Sequence, residues 1–113
     1  EANRMVSSEE ALQEFRETIP IFEVLADERR QQIMIELSQH AQGMTVGELT
    51  ERMHISQPAV SHQLKTLKER HFVAVEHQGT RNYYRVTFDA PLTQVEHLIH
   101  TLKADLELKP YLH

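Results

Sequence analysis

The segment SQPAVSHQL, residues 56–64, decides how the chain is expected to fold. Ser56 is a residue type that is preferred at helix N-caps. Pro58 follows in what would be the first helical turn, where a missing N–H costs no helical hydrogen bond. An apolar stripe at helical spacing then continues through Val60, Leu64 and Leu67. The proline therefore starts a helix rather than breaking one, and the opposite face carries small polar, amide and histidine side chains.

The residues just before this helix predict a shorter one. In TVGELTERM, residues 45–53, Thr45 and Glu48 stand at capping-box spacing, and only a short linker separates this segment from Ser56. Two helices joined by a tight turn over residues 45–70 form a helix-turn-helix. The second helix of such a motif can enter the major groove of DNA.

Two further helices are predicted upstream. The first spans about residues 8–19, begins at a serine cap and is expected to end where Pro20 interrupts it. The second either runs from about Phe22 or starts at Asp27 as its cap, and it ends before Gly43.

Downstream of the recognition helix the sequence period changes. FVAVEHQ and RNYYRV are β-rich runs separated by Gly79 and Thr80, which predicts a β-hairpin, or wing, over residues 72–87. A last helix is predicted over about residues 91–108. Its apolar seam consists of Leu92, Val95, Ile99, Leu102 and Leu106. The predicted fold is a single winged helix-turn-helix domain over residues 1–113, mainly α with a β-hairpin wing, in the order α-α-α-α-β-β-α.

Composition limits the class of protein. The chain has 113 residues, of which 40% are hydrophobic and 26% charged, and this suits one globular domain. The absence of cysteine excludes disulfides, thiolate metal sites and cysteine nucleophiles. No apolar run approaches the roughly 18 residues of a membrane span. We therefore expect a cytoplasmic protein with no membrane partner.

Charge is distributed unevenly along the chain. The formal net charge is −5, yet residues 56–85 hold five cationic side chains against two acidic ones, a net of +3 that leaves −8 elsewhere. An acidic body with one basic segment can direct a single surface toward phosphate. Double-stranded DNA is the partner that this pattern favours.

The predicted recognition helix offers groups that can read base edges. Amide, hydroxyl and imidazole groups can hydrogen-bond to bases, and a small side chain can face a thymine methyl group. The residues with these properties are Gln57, Ala59, Ser61, His62 and Gln63. Lys65 lies one turn further on and suits a phosphate contact, which contributes affinity without sequence information.

These motifs carry a resemblance to a known family. ISQPAVSHQLKTLKERHFVAVEHQGTRNYYRV, residues 55–86, resembles the signature of the ArsR/SmtB family of bacterial winged-helix repressors, and LADERRQQIMIEL, residues 25–37, is similar to the family's opening helix. The resemblance covers roughly residues 20–105. It implies a homodimer, paired through its first and last helices, that binds an inverted-repeat operator and represses transcription until an effector releases it.

The resemblance also implies roles for individual residues. The positions that would face bases are Ser56, Gln57, Ala59, Ser61, His62 and Gln63. The wing tip would consist of Gly79, Thr80 and Arg81. The dimer core would consist of Leu12, Phe15, Leu92, Val95, Ile99, Leu102 and Leu106.

A metal cofactor is not supported by the pattern of ligands. The family's cysteine sites cannot form here, and the positions at which another class places ligands on the last helix hold Phe88, Ala90, Thr101 and Ala104, none of which suits a metal. Moving the alignment by one residue recovers at most Asp89 and His100. Within this class, the alternative is a sensor of zinc, nickel or cobalt that uses His97 and His100, which stand three residues apart.

An enzyme is not expected. The carboxylate pairs, such as Glu9 and Glu10, are adjacent in sequence and diverge around a helix instead of converging across a cleft. Three glycines in the whole chain cannot build a phosphate-binding loop. The alternative from a different class is a winged-helix module that uses the same surface to bind a protein partner.

Overall fold

The computed structural model describes residues 8–105, and it has the winged helix-turn-helix order that the sequence predicts. The elements are α1 (Ser8–Leu25), α2 (Glu28–Ser38), α3 (Val46–Arg52), α4 (Gln57–Glu69), β1 (Val73–Gln78), β2 (Arg81–Val86) and α5 (Asp89–His100), followed by a π-helical turn (Thr101–Asp105). The predicted fold class, mainly α with a two-stranded wing, is confirmed. No helix within residues 8–105 is long and apolar enough to cross a bilayer.

Helix α1 is longer than the sequence predicts. It contains Pro20 in its interior and continues to Leu25, so the prediction that this proline ends the helix is wrong. Ile21 and Val24, which follow the proline, are buried in the core. Their burial offsets the loss of one backbone hydrogen bond, because most helical stability in proteins comes from the packing of an apolar face.

The predicted helix starts are present as hydrogen bonds. Asp27 caps α2 by accepting from the backbone N–H groups of Arg29 and Arg30. Thr45 and Glu48 form the full capping box of α3, with N···O distances of 3.1 and 2.9 Å. Ser56 caps α4 through the N–H of Ala59 at 3.3 Å. Each cap satisfies a backbone donor that has no partner inside its helix.

Helix α4 ends in a Schellman motif. The N–H of Phe72 donates to the carbonyl of Leu67, and the N–H of His71 donates to that of Lys68. His71 takes the left-handed position with φ 67°. The reversal delivers Phe72, which is fully buried, into the core at the start of the wing.

The wing is an antiparallel hairpin in which Val73 pairs with Val86 and Gln78 with Arg81. Gly79 has φ 64° and stands first in the two-residue loop, the position that glycine favours in a type II′ turn. A further bridge, which the sequence did not predict, joins Met44 to Tyr84 through two backbone hydrogen bonds of 2.9 and 2.8 Å. The loop between α2 and α3 is thereby attached to the wing.

One hydrophobic core joins all of these elements. Its fully buried members come from α2, α3, α4 and the residue just before β1, and include Ile33, Leu37, Leu49, Val60, Leu64, Leu67 and Phe72. The predicted stripe of the recognition helix is therefore confirmed as its inward face.

Helix α5 differs from its predicted form. It begins at Asp89 rather than at residue 91, and its buried residues include Leu98, which the predicted seam omits. Leu92 and Ile99 are exposed, whereas Val95 packs against the protomer's own core. Leu106, the last member of the predicted seam, lies outside the described residues.

Candidate nucleic-acid interface

The face of α4 that points away from the core is polar and open to solvent. Its exposed residues include Gln57, Ser61, His62 and Lys65, together with the cap residue Ser56. Ala59 is half-buried. These residues come together because a helix places positions four apart on one side, while the apolar stripe faces α2 and α3. The structure thus presents most of the predicted base-reading residues on one accessible surface.

Gln63 does not belong to this surface, which corrects the sequence prediction. Its side chain is only 8% exposed, and its Oε1 accepts a hydrogen bond of 2.9 Å from Nη1 of Arg30 on α2. The signal was present in the sequence, since Gln63 stands three residues after Val60 and four before Leu67, within the apolar stripe. A polar residue at a stripe position is buried when a partner lies opposite it.

The wing supplies cationic charge beside this helix. Arg81 is exposed next to the hairpin loop, and the space around Gly79 is open to at least 4 Å. Arg85 forms an ion pair of 3.0 Å with Glu76 across the two strands, so its positive charge is partly neutralised by that carboxylate. Arg81 therefore contributes more to the positive potential of the wing than Arg85 does.

Cationic residues on α4 extend the same electrostatic pattern. Lys65, Lys68 and Arg70 are exposed along the helix and at its end. Since the segment from residue 56 to residue 85 is net positive within a chain of net charge −5, the attractive potential for an anion is concentrated here.

A second surface of the protomer is apolar. Exposed large apolar side chains lie on α1 and α5, which pack against each other: Leu12, Phe15, Ile19, Phe22, Leu92 and Ile99. We call these six residues the α1–α5 apolar face. Sequence reasoning missed Ile19 and Phe22. Along α1 the four apolar residues are separated by three, four and three residues, which is a heptad pattern. The expectation that Pro20 ended the helix placed Phe22 outside it.

Polar contacts join α1 and α5 within the protomer. Nε2 of Gln94 donates to the carbonyl of Glu17 at 3.0 Å. Nδ1 of His97 contacts the carboxylate of Glu14. This histidine, one of the two candidate metal ligands, is thus already engaged with α1.

The described residues do not bring together a set of metal ligands. Between residues 8 and 105, no three histidine, aspartate or glutamate side chains are placed to hold one ion. His100 is exposed on α5. Thr101, at a position where the family's ligand would stand, is fully buried.

This fold and these surfaces define a winged helix-turn-helix protein. Residues 27–75 match the family model described as bacterial regulatory protein, arsR family. The match lies on the helix-turn-helix, so the resemblance to this family noted in the sequence is confirmed over that part of the chain.

Individual proteins are similar to this chain in sequence or in fold. The chain is 38% identical over 63 residues to the arsenical resistance operon repressor of Bacillus subtilis (strain 168), a match that covers 56% of this chain and 59% of that protein. Among solved structures, an ArsR-like transcriptional regulator from Rhodococcus sp. RHA1 has a TM-score of 0.76 at 22% identity and covers 88% of this chain and 89% of its own. HlyU from Vibrio cholerae N16961 has a TM-score of 0.58 at 27% identity, over 75% of this chain and 89% of that one.

Proposed function

We propose that the protein is a homodimeric transcriptional repressor that binds an inverted-repeat operator in double-stranded DNA and is released by an effector. The observation that carries this proposal is the exposed polar face of α4, flanked by a cationic wing. The family match over residues 27–75 supports the same reading.

The two parts of the surface have different tasks in this proposal. Gln57, Ser61 and His62 carry amide, hydroxyl and imidazole groups that can hydrogen-bond to base edges in the major groove. Lys65 and Arg81 neutralise phosphates on either side of the groove, which contributes affinity and fixes the register of the protein on the duplex. Specificity and affinity are thus separable by mutation.

Dimerisation is supported by the α1–α5 apolar face. Six large apolar side chains exposed on two helices that pack against each other are characteristic of an interaction surface. A second copy of the chain is the occupant we propose, because an inverted repeat requires two recognition helices related by a two-fold axis. The side chains of Leu12, Phe15, Leu92 and Ile99 belong to this interface, as the resemblance implies, and Ile19 and Phe22 extend it.

The effector in this proposal is not a thiolate-bound metal, because the chain has no cysteine. If zinc, nickel or cobalt bound through Nδ1 of His97 together with His100, the contact between His97 and Glu14 would have to break. We therefore propose release by a ligand other than a metal bound at these two histidines.

The DNA-binding proposal is tested by fluorescence anisotropy on duplexes that the protein itself selects from a randomised pool. Lys65→Ala combined with Arg81→Ala removes about four phosphate contacts from a dimer, so the slope of log K against log salt concentration becomes less steep by roughly 3 to 4. Lys103→Ala, which removes an exposed cation from the π-helical turn, serves as the matched control and leaves the slope unchanged. Enrichment of no duplex at all, with a protein partner captured through α4 instead, would establish the interaction-module alternative.

A further inference from the structure

A single, partly buried guanidinium group joins three helices. Arg30, on α2, donates from Nη2 to the carbonyl of Glu23 at 2.9 Å and from Nε to the carbonyl of Val24 at 3.1 Å. Its remaining nitrogen, Nη1, donates to Oε1 of Gln63 on α4 at 2.9 Å. The side chain of Arg30 is only 17% exposed. The group thus connects the end of α1 to the recognition helix.

The two carbonyls belong to the last turn of α1, where no intrahelical N–H can reach them. Arginine suits this place because its planar fork presents several donors in fixed directions. The neighbouring Gln31 also caps the end of α1, because its Nε2 donates to the carbonyl of Leu25 at 2.7 Å. The end of α1 is therefore capped by two side chains of α2, and one of them also reaches α4.

The hydrogen bond to Gln63 has a different consequence from the apolar packing around it. Burial of Val60 and Leu64 holds α4 against the core, but hydrophobic contacts have no preferred direction and permit a helix to tilt or slide. A buried amide that accepts from a charged donor is stronger and directional. The Arg30–Gln63 bond therefore adds a directional contact between α4 and the end of α1.

We propose that Arg30 is a positioning residue that couples α1 to the recognition helix through Gln63, and so sets the separation of the two recognition helices in the dimer. This inference rests on the proposed dimer and DNA-binding function. If α1 forms the two-fold interface, its angle to α4 is repeated in both protomers, and a small tilt changes the distance between the two half-sites that the dimer can span.

The test measures the preferred distance between half-sites. The wild-type protein first selects duplexes from a randomised pool, and its affinity is then measured on the selected operator and on versions lengthened or shortened by one base pair. Gln63→Leu removes the acceptor while Arg30 keeps its bonds to α1. We expect the wild-type preference for the selected spacing to fall by about tenfold in this variant. Base preference within each half-site should stay unchanged.

Two further variants separate positioning from general loss of structure. Gln63→Glu retains an acceptor for the guanidinium and should restore the spacing preference. Gln31→Leu removes a cap of α1 without touching α4, and should leave that preference intact even if thermal stability falls.

Three other outcomes would contradict the inference, and each can be recognised from the others. A Gln63→Leu protein that keeps the wild-type spacing preference overturns the inference. A Gln63→Leu protein that instead changes the preferred base at one position also overturns it, because Gln63 would then read DNA directly. If the wild-type protein enriches no duplex, the proposed function fails and the inference fails with it.

Discussion

Gly43 and Gly79 both take left-handed backbone angles, but their surroundings differ. Gly43 has φ 92°, and a Cβ placed there would lie 2.9 Å from the backbone oxygen of Tyr84 and 3.2 Å from Cβ of Tyr83. Gly79 has φ 64° with open space around it. Only Gly43 is required both for its backbone angle and for the close approach of the α2–α3 loop to the wing.

We expect Gly43→Ala to lower the free energy of unfolding by about 3 kcal/mol, because backbone strain adds to a clash that the β2 backbone cannot relieve. Gly79→Ala is the matched control, with a loss of about 1 kcal/mol from its backbone angle alone. Chemical denaturation measures both values. Equal losses at the two positions would show that the contact with Tyr84 has no energetic role.

Among the secondary-structure elements, α3 depends most on its capping residue. It contains only seven residues, far fewer than an isolated helix needs to be stable in water. Its own Leu49 is buried, and the capping box of Thr45 and Glu48 satisfies two backbone donors at its start. Since α3 supports α4 in the helix-turn-helix, the cap also supports the recognition surface.

Thr45→Ala should lower the free energy of unfolding by about 1 kcal/mol, the usual contribution of an N-cap hydroxyl. Thr50→Ala provides the comparison, because its hydroxyl donates to the carbonyl of Val46 and its loss leaves no backbone N–H without a partner. We expect a change of less than about 0.5 kcal/mol there. A comparable loss in both variants, measured by urea denaturation, would contradict the role assigned to the capping box.

The whole molecule presents two surfaces of opposite character. The face formed by α4 and the wing is polar and cationic, whereas the α1–α5 apolar face, the proposed contact with a second copy, consists of large apolar side chains. The two are joined through α2, whose Arg30 contacts both α1 and α4. In the proposed dimer, this arrangement would let the pairing of the two copies determine how the two α4 helices meet DNA.

Phe15→Glu should weaken the proposed dimer by at least about a hundredfold, since it would remove an aromatic anchor and place a charge in the proposed interface of each copy. Ile35→Glu is a matched control, because Ile35 is 61% exposed on α2 and Phe15 41% exposed on α1. Sedimentation equilibrium measures the dissociation constant. If Ile35→Glu dissociates the dimer and Phe15→Glu does not, the second copy binds elsewhere.

The sequence by itself determined the elements whose causes are local. Ser56, Thr45 and Asp27 cap helices through backbone groups two or three residues away, and Gly79 forms a turn between adjacent strands. The stripe of α4 follows from helical periodicity alone. From these features, the order of the elements and most of the polar face of α4 could be predicted.

Only the tertiary structure decided the features that depend on residues far apart in the chain. α1 continues through Pro20 because the core receives Ile21 and Val24, and Gln63 is buried because Arg30, 33 residues earlier, supplies its donor. Likewise, the neighbours of α5 decide that Leu98 is buried while Leu92 and Ile99 are exposed. Periodicity identifies which residues share a face, but burial depends on what packs against that face, and the packing is established by the fold.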